Sequence, residues 1–559
     1  MSTQTAKSGS DSGVKSLAWW RFIPWVVSVC FLLGLLWWRF GAQVSDFGLQ
    51  NVLSYIMAIA VWGFAVLGAM LTSRRIIWLS LLLIPVLLIG GFLAFFRVVR
   101  VDAEIVPQFA WRWSETAALP DAEPASDSPV DAFFAPRSTD YPQFLGPDAN
   151  STMLNTHVET NWKEHEPKIL WKQPIGKGWS GFAVQGDAAY TMEQREQEEW
   201  VSCYDANTGK LLWHYAIPGL HFNPLGGTGP RTTPVIFEGR VYAMSAVSNF
   251  VCLDMRTGEK VWSIDLLDLV GATQEAFESS VMWGRSGSPL IVDGKVIIPL
   301  GGTGASMKSL IALDAKTGAE VWRAGDDQIS YSTPTIVTLQ GQRQILYVSE
   351  AKLNAFAIAD GKDLWQVPWP SSSRSDANVS QPIALDDTRV LMTKGYGGGG
   401  QVIEVKLADG AWSTNSLWKI EAVLRTKFTS CVIKDGNAFG LNDGILECVD
   451  LSNGKRLWKK GRYRHGQVLL VGDELLITAE NGSLVLVAAD PNEFRELATM
   501  PVIGDVTWNT AALSGDRLLM RNSDEAACVI LPLKSASSTT SSSDAAPETA
   551  PAETPSTPE

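Results

Sequence analysis

The sequence predicts an all-β protein, an eight-bladed β-propeller with four-stranded blades, preceded by three transmembrane α-helices. Three observations predict it: a line of the form DxxTGxxxW returns along the chain, a strand hairpin precedes each copy, and three long apolar segments stand near the N-terminus. Regularly repeated strand pairs are typical of propellers. Apolar segments of roughly 20 residues are long enough to cross a bilayer.

The first element is a membrane anchor at residues 18–97, with helices predicted at 18–38, 48–72 and 76–96. The only charged residue inside these segments is Arg21. Three such segments separated by short loops argue against buried helices of a soluble domain. With residues 1–17 in the cytoplasm, five basic side chains lie inside and four outside, so the positive-inside rule favours a propeller outside the cytoplasmic membrane, on the periplasmic side. The lipid bilayer is thus the first expected partner.

The propeller is expected to lie between two segments without a core of their own. Residues 98–140 contain the stretch ALPDAEPASDSPVDAFFAP and are predicted to be an extended linker. Residues 535–559 are mostly Ser, Thr, Ala, Pro and Glu, and this composition predicts a disordered tail. The propeller domain is assigned to residues 141–534.

The repeated line predicts a strand, a turn and a second strand that carries a Trp. Glycine supplies the positive φ that the turn requires. The recurring residues are Asp205, Gly209 and Trp213; Asp254, Gly258 and Trp262; Asp314, Gly318 and Trp322; Gly361 and Trp365; and Asp450, Gly454 and Trp458. A longer copy ends at Trp418, and repetition of this kind explains why the chain has 23 Trp residues.

The last unit predicts how the ring closes. Eight hairpins can be counted between Ser180 and Met520, but only one further strand, ACVILPL, follows the last of them. The missing outer strand is supplied by PKILWKQPIG, which includes Trp171, at the start of the domain. Pairing of the N- and C-terminal strands would remove exposed sheet edges and argues against an open solenoid.

Composition excludes several kinds of site. The net charge of −13 argues against nucleic-acid binding, which needs a basic surface. The six Cys residues are spread singly, so no zinc, iron–sulfur or other metal site is predicted. Cys203, Cys252 and Cys448 occupy the same position in different blades and are expected to be buried apolar residues rather than disulfide partners.

Candidate site residues are sought in the longer connections, which emerge on one face of a four-stranded meander. These connections include residues 192–199, 216–231, 263–286 and 366–379. Loops on a rigid scaffold commonly carry function. Arginines in these loops would suit an anionic ligand with several carboxylates, and tryptophans would suit a planar one; each set also has a purely structural explanation, in ion pairing and in packing. The candidates are Arg231, Arg285, Arg374, Arg425, Arg464, Trp179, Trp283 and Trp508. No catalytic residue is predicted, because no nucleophilic or acid–base motif is present.

The DxxTGxxxW line and the opening YPQFLGP at Tyr141–Pro147 resemble the quinoprotein repeat family. This family includes pyrroloquinoline quinone (PQQ) dehydrogenases and BamB-type outer-membrane assembly lipoproteins. For an enzyme, the resemblance implies PQQ with calcium, a vicinal Cys pair, a Glu/Asn/Asp calcium set and a catalytic Asp. The sequence has no adjacent Cys pair, and none of the carboxylates matches a motif of that set.

Three hypotheses for function follow. The first is a noncatalytic binding or scaffold module of the cell envelope with protein or peptide partners, favoured by the compact ring, the missing enzyme signatures and the linker to the membrane. The second is a PQQ-dependent membrane dehydrogenase that oxidises alcohols or sugars. The third is an envelope sensor, which would need a separate output partner because residues 1–17 are too short to form one.

Overall fold

Eight sheets, each with a four-stranded antiparallel meander and one with a fifth strand, form the main body of the computed structural model. The structure describes residues 19–41, 47–102, 104–114, 118–121, 130–370 and 377–534. This arrangement confirms the predicted eight-bladed propeller with four-stranded blades. We number the blades from the first complete sheet and call the strands of each blade A to D in the order of their pairing, with D outermost.

The strand bounds follow one pattern around the ring. Blade 1 comprises Ala183–Gln185, Ala188–Arg195, Glu198–Asp205 and Leu211–Pro218. Blade 2 comprises Val235–Phe237, Arg240–Met244, Asn249–Asp254 and Lys260–Asp265. Blade 3 comprises Leu290–Val292, Lys295–Gly301, Lys308–Asp314 and Glu320–Ala324. Blade 4 comprises Thr335–Leu339, Gln342–Val348, Lys352–Ala357 and Asp363–Pro368.

Blades 5 to 8 follow the same four-strand pattern. Blade 5 comprises Ile383–Ala384, Arg389–Lys394, Gly399–Ala408 and Ala411–Ile420. Blade 6 comprises Val432–Lys434, Asn437–Asn442, Ile445–Asp450 and Lys455–Arg462. Blade 7 comprises Gln467–Val471, Glu474–Thr478, Ser483–Ala488 and Glu496–Pro501, with Thr152–Met153 added in parallel to strand A. Blade 8 comprises Ala512–Ser514, Arg517–Arg521, Glu525–Ile530 and, as strand D, Lys168–Pro174.

Blade 8 closes the ring as the split last unit predicts. Cys528 of strand C lies opposite Trp171, and Glu525 lies opposite Pro174. The outer strand of the final blade therefore comes from the beginning of the domain, which ties the two ends of the propeller together.

The repeat Trp and Gly residues join each blade to the next. The indole N–H of Trp213 donates to the carbonyl oxygen of Met255 at 3.3 Å, in the turn that contains Gly258. A Cβ at Gly258, whose φ is +73°, would lie 2.5 Å from the Trp213 ring. The same arrangement recurs for Gly209 with Trp171, Gly318 with Trp262, Gly361 with Trp322 and Gly454 with Trp418. Glycine is required here both for φ and for the close approach of the indole.

The inner strands are linked by hydroxyl groups around part of the channel. The Gly181 N–H donates to Thr233 Oγ1 at 3.1 Å, the Thr233 N–H to Ser288 Oγ at 2.9 Å, and the Ser288 N–H to Thr333 Oγ1 at 2.9 Å. These residues stand just before strand A of blades 1 to 4. The side chains therefore pair backbone groups that face the channel, where strand A has no sheet partner.

Three long apolar helices precede the propeller. They are α1 (Ile23–Phe40, after a 3₁₀ turn at Trp19–Phe22), α2 (Phe47–Thr72) and α3 (Arg75–Phe95). Each is long and apolar enough to cross a membrane. The Ser28 hydroxyl donates to the carbonyl oxygen of Val61 at 2.9 Å and joins α1 to α2.

The predicted extended linker at residues 98–140 requires a correction. Phe96–Val101 and Pro107–Trp111 form an antiparallel pair, which we call the juxtamembrane hairpin, and Val130–Phe133 forms a short helix. The Pro- and Ala-rich part of the segment dominated the prediction, whereas apolar side chains that alternate in FRVVRV and PQFAW favour strands. Parts of this segment, and the predicted tail at 535–559, lie outside the described residues.

The faces of the ring differ in their connections. The turns between strands A and B and between C and D form one face, which we call the turn face. The connections from B to C and from D to the next strand A form the other, the loop face. It includes helices Leu266–Val270 and Gln274–Ser280, a 3₁₀ turn at Gly304–Ser306 and a small hairpin made by Phe222–Asn223 and Gly227–Thr228. Residues 192–199, expected as a longer connection, are instead mainly strand with a turn at Glu196–Gln197.

Candidate ligand-binding face

The tryptophan candidates meet near the centre of the loop face. The ring centroids of Trp179 and Trp508 are 4.7 Å apart, and Phe428 lies 5.0 Å from Trp508. The Trp179 indole N–H donates to the Gly226 carbonyl oxygen at 2.6 Å. On the other side of Gly226, a Cβ would lie 2.8 Å from the ring of Trp283. Trp179 and Trp283 therefore both contact the small loop hairpin at Gly226, and Trp179 also packs against Trp508.

Arg231 stabilises the small loop hairpin through hydrogen bonds to its backbone. Its guanidinium donates to the carbonyl oxygens of Gly229 at 2.7 Å and Gly226 at 2.8 Å. Burial lowers the pKa of Arg231 to about 10. Its hydrogen bonds thus connect the base of the loop to its tip.

Arg285 is completely buried between blades 2 and 3. It donates to the carbonyl oxygens of Val247 at 2.9 Å, Pro299 at 3.1 Å and Leu300 at 2.7 Å, and its guanidinium lies 4.3 Å from the ring centre of Phe277. Burial lowers the pKa of Arg285 to about 9. The side chain satisfies carbonyl groups at the end of a blade and is turned away from the surface.

Arg425 and Arg464 lie in the connections that lead into blades 6 and 7. Arg425 donates to the Glu421 carbonyl oxygen at 2.7 Å and lies 3.4 Å from an Asp443 carboxylate oxygen. Arg464 lies 3.1 Å from Asp102 of the juxtamembrane hairpin and 4.0 Å from Glu480. Arg374 lies outside the described residues.

The juxtamembrane hairpin covers this part of the loop face. Arg100 forms ion pairs with Asp505 and, at 2.7 Å, with Asp524, in the loops that flank blade 8. Glu104 forms an ion pair with Arg462 and approaches Arg464 at 3.8 Å. A cleft of about 260 Å³ remains beside these pairs. Its lining includes Arg462, Tyr463, Arg464, Asn481, Ser483 and Glu496.

Two buried carboxyl groups on the loop face were not among the predicted site residues. The Glu199 side chain accepts the Ala246 N–H at 2.9 Å, and Glu480 accepts the His465 N–H at 2.9 Å. Burial raises the pKa of each carboxyl to about 7. Glu199 stands in the acidic stretch MEQREQEE, where several neighbours have the same chemistry, so only the fold distinguishes it.

His221 and Glu278 belong to the same region as Glu199. His221 Nδ1 lies 3.5 Å from a Glu278 carboxylate oxygen, and burial lowers the pKa of the imidazole to about 4. His221 Nε2 and one oxygen of Glu199 are buried without a hydrogen-bond partner. Buried polar atoms of this kind are commonly paired through water.

These residues do not fit a PQQ–calcium centre. Within the described ranges, no group of three or more His, Cys, Asp or Glu side chains could hold a metal ion. Arg231 and Arg285, which the resemblance would assign to carboxylates of the quinone, are bound to carbonyl oxygens of the chain itself. The cysteines described, which include Cys203, Cys252 and Cys448, are all free, and those three are buried.

The blade count, the docked Trp–Gly turns and the split closing blade define a propeller of PQQ-like repeats. A model of the family described as "Outer membrane protein assembly factor BamB" matches residues 160–265 and 197–460, together more than half of the chain. The chain belongs to this family.

Curated relatives include both quinone-dependent alcohol dehydrogenases and a BamB protein. A quinone-dependent alcohol dehydrogenase subunit from Gluconobacter oxydans is 32% identical over 334 residues, which is 55% of this chain and 37% of that protein. The BamB of Xanthomonas campestris pv. campestris is 28% identical over 148 residues, covering 26% of this chain and 32% of the relative. The chain thus matches well under half the length of either relative.

Among solved structures, the BamB of Moraxella catarrhalis matches with a TM-score of 0.47 and 14% identity, covering 65% of this chain and 99% of that one. A quinohemoprotein alcohol dehydrogenase from Pseudomonas putida matches with a TM-score of 0.47 and 12% identity, covering 75% and 83%.

Proposed function

We propose that this protein is a noncatalytic binding scaffold of the cell envelope, anchored in the cytoplasmic membrane with its propeller on the periplasmic side. The observation that carries the proposal is that the candidate arginines among the described residues of the loop face are hydrogen-bonded or ion-paired within the chain. Arg231 and Arg285 bind backbone carbonyls, and Arg464 pairs with the juxtamembrane hairpin. Membership of the BamB family agrees with a role that depends on protein partners.

The orientation rests on charge and on the path of the chain. Arg74 immediately precedes α3 and Arg75 is its first residue, and both favour the cytoplasmic side under the positive-inside rule. The opposite ends of these helices then lie outside. There Asn51 of α2 donates to the Glu104 carbonyl oxygen at 2.7 Å, in the juxtamembrane hairpin that contacts the propeller.

The surface that we assign to a protein partner is the small loop hairpin between blades 1 and 2. Phe222 is 61% exposed and Leu225 is 48% exposed, although both stand on a braced loop. The Asn223 side chain accepts from the backbone N–H groups of Leu225 and Gly226 and donates to the Met282 carbonyl oxygen. Apolar side chains held outward by a rigid loop have little ordering entropy to lose on binding.

A site-specific photo-cross-linker tests this assignment in the full chain in cells. Replacement of Phe222 by a photoreactive phenylalanine analogue should produce a light-dependent adduct with one envelope protein. The same analogue at Lys316, exposed on the turn face, is the matched control. Leu225→Ser should lower the yield at position 222. A Phe222 probe that gives no adduct, or gives the same adducts as Lys316, would contradict the scaffold proposal.

A second candidate is a quinoprotein dehydrogenase, supported by the alcohol dehydrogenase relatives and by the Trp179–Trp508 pair. A planar cofactor would need to insert against these indoles and to free Arg231 from its carbonyl partners. We place this function second, because Arg231 and Arg285 are hydrogen-bonded to carbonyl oxygens of the chain instead of being available to carboxylates of a cofactor.

A further inference from the structure

The juxtamembrane hairpin presents an apolar face that the propeller does not cover. Its register pairs Phe96 with Trp111 and Val98 with Phe109, which puts these four side chains on one face of the two strands. Val98 is 49% exposed, and Phe109 and Trp111 are each 45% exposed. A contiguous apolar surface of this kind marks an interaction site.

This apolar face is continuous with the last transmembrane helix. Strand Phe96–Val101 begins at the residue that follows α3. The ring of Phe92 lies 5.0 Å from Phe109, and the ring of Phe95 lies 5.6 Å from Trp111. Trp113, which is 61% exposed, extends the cluster. The aromatic residues therefore lie where a spanning helix leaves the hydrocarbon.

Charge and backbone chemistry indicate the depth at which the juxtamembrane hairpin lies in the membrane. Arg97 and Arg112 follow Phe96 and Trp111 in the chain and are exposed, and Arg112 donates to the Leu93 carbonyl oxygen at 2.7 Å. Exposed cations at this level of a membrane favour anionic headgroups. An isolated pair of strands has unpaired N–H and C=O groups along its outer edges, which hydrocarbon does not tolerate but hydrated headgroups do. Tryptophan is itself enriched at this level of a membrane.

Other side chains of the hairpin form ion pairs with the propeller. Arg100 pairs with Asp524 at 2.7 Å and also with Asp505, while Asp102 pairs with Arg464 at 3.1 Å. All three partners belong to the loop face, at blades 6 to 8. A hairpin fixed in the headgroup layer would therefore fix the direction in which the propeller faces.

We infer that the juxtamembrane hairpin is a lipid-interface site that lies in the headgroup layer and holds the loop face at blades 6 to 8 against the membrane. The partner is a phospholipid surface, contacted by aromatic side chains and flanking arginines. The inference concerns attachment and orientation, and it holds whether the propeller acts as a scaffold or as an enzyme.

A fluorescent probe on a single cysteine tests this inference in the full chain, reconstituted in phosphatidylcholine–phosphatidylglycerol vesicles. The background is Cys30→Ser, because the other cysteines are buried and serve as a folding check when they stay unlabelled. Probes are placed by Trp111→Cys and, independently, Trp113→Cys. Lys316→Cys on the turn face is the control.

We expect lipids with a shallow nitroxide to quench both hairpin probes strongly and aqueous iodide to quench them weakly. The Lys316 probe should show the reverse pattern. Strong iodide quenching of the hairpin probes without lipid quenching would overturn the inference, because the hairpin would be in water. Protection from both quenchers would also overturn it, because a protein would then cover the apolar face.

Discussion

Arg285 illustrates at the scale of one residue why a cation in a functional loop is not necessarily a ligand-binding group. Its guanidinium is fully buried and bonded to three carbonyl oxygens of blades 2 and 3. Burying a charge is costly unless hydrogen bonds compensate for the lost hydration. The side chain is thus part of the framework on which the loop face is built.

Arg285→Met tests this structural role. The variant removes the donors and leaves buried carbonyl groups unpaired, so we expect a loss of roughly 3 kcal/mol in the free energy of unfolding. Arg343→Met is the control, since Arg343 is half exposed and pairs with Asp293 in water, where a loss of about 0.5 kcal/mol is expected. Denaturant unfolding of the two full-length variants makes the comparison. Equal stabilities would contradict the assignment.

Glu199 predicts a pH dependence of stability that can be assigned to one side chain. Its pKa in the fold is about 7, above the ordinary value of 4.5. The folded protein therefore binds more protons than the unfolded chain between these values, and this contribution lowers stability as the pH rises from about 4.5 to 7. Above pH 7 the full cost of the buried charge is present.

Glu199→Gln removes the free-energy cost of burying a carboxylate at this position, while an amide oxygen remains to accept the Ala246 N–H. The variant should match the parent near pH 5 and be more stable at pH 8, by up to about 3 kcal/mol. Unfolding curves of both proteins at the two pH values measure the difference. If the stability of the variant relative to the parent were lower at pH 8 than at pH 5, the fold would stabilise Glu199 as an anion and the prediction would be wrong.

Residue types in the candidate site were predictable, but their partners were not. The sequence places Arg231 and Arg464 in the correct loops, because the repeat fixes where each strand begins. It does not reveal that Arg231 turns back to Gly226, or that Arg464 meets Asp102 from a segment hundreds of positions away. Such pairings depend on how the elements pack, which no local pattern encodes.

At the scale of elements, the Trp–Gly contact is the unit that joins successive blades. The repeat line was recognised because its strand, turn and Trp lie close together in sequence. The juxtamembrane hairpin was missed because its strands, of six and five residues, adjoin a helix and a Pro-rich stretch that hide their alternation. Elements with a repeated signature are therefore predictable, whereas single short strands are not.

Gly258→Ala tests the joint between blades 1 and 2. A methyl group there would lie 2.5 Å from Trp213, whereas one at Gly239, with a similar φ of +76°, would meet nothing within 4 Å. Both variants carry the strain of a positive φ, roughly 1 kcal/mol. We expect Gly258→Ala to lose about 1–3 kcal/mol more than Gly239→Ala, because overpacking displaces the indole. Equal losses in denaturant unfolding would mean that the contact does not join the blades.

The whole molecule combines a closed ring with an attachment on one face. Lys168–Pro174 completes blade 8, so the segment that leads from the membrane also closes the propeller. Arg100, Asp102 and Glu104 then fasten the loop face to the juxtamembrane hairpin. Phe222 is exposed on the loop face between blades 1 and 2, the surface that we propose for a protein partner.

We propose that the ring binds a protein rather than a redox cofactor. The most direct measurement is titration of the full-length protein, in lipid nanodiscs, with PQQ and calcium, followed by the absorbance of bound cofactor and by dye reduction with ethanol or glucose. Resistance of the buried cysteines to a thiol reagent verifies the fold. We predict neither saturable binding nor dye reduction. Saturable binding accompanied by dye reduction would overturn the scaffold proposal and identify the protein as a quinoprotein dehydrogenase.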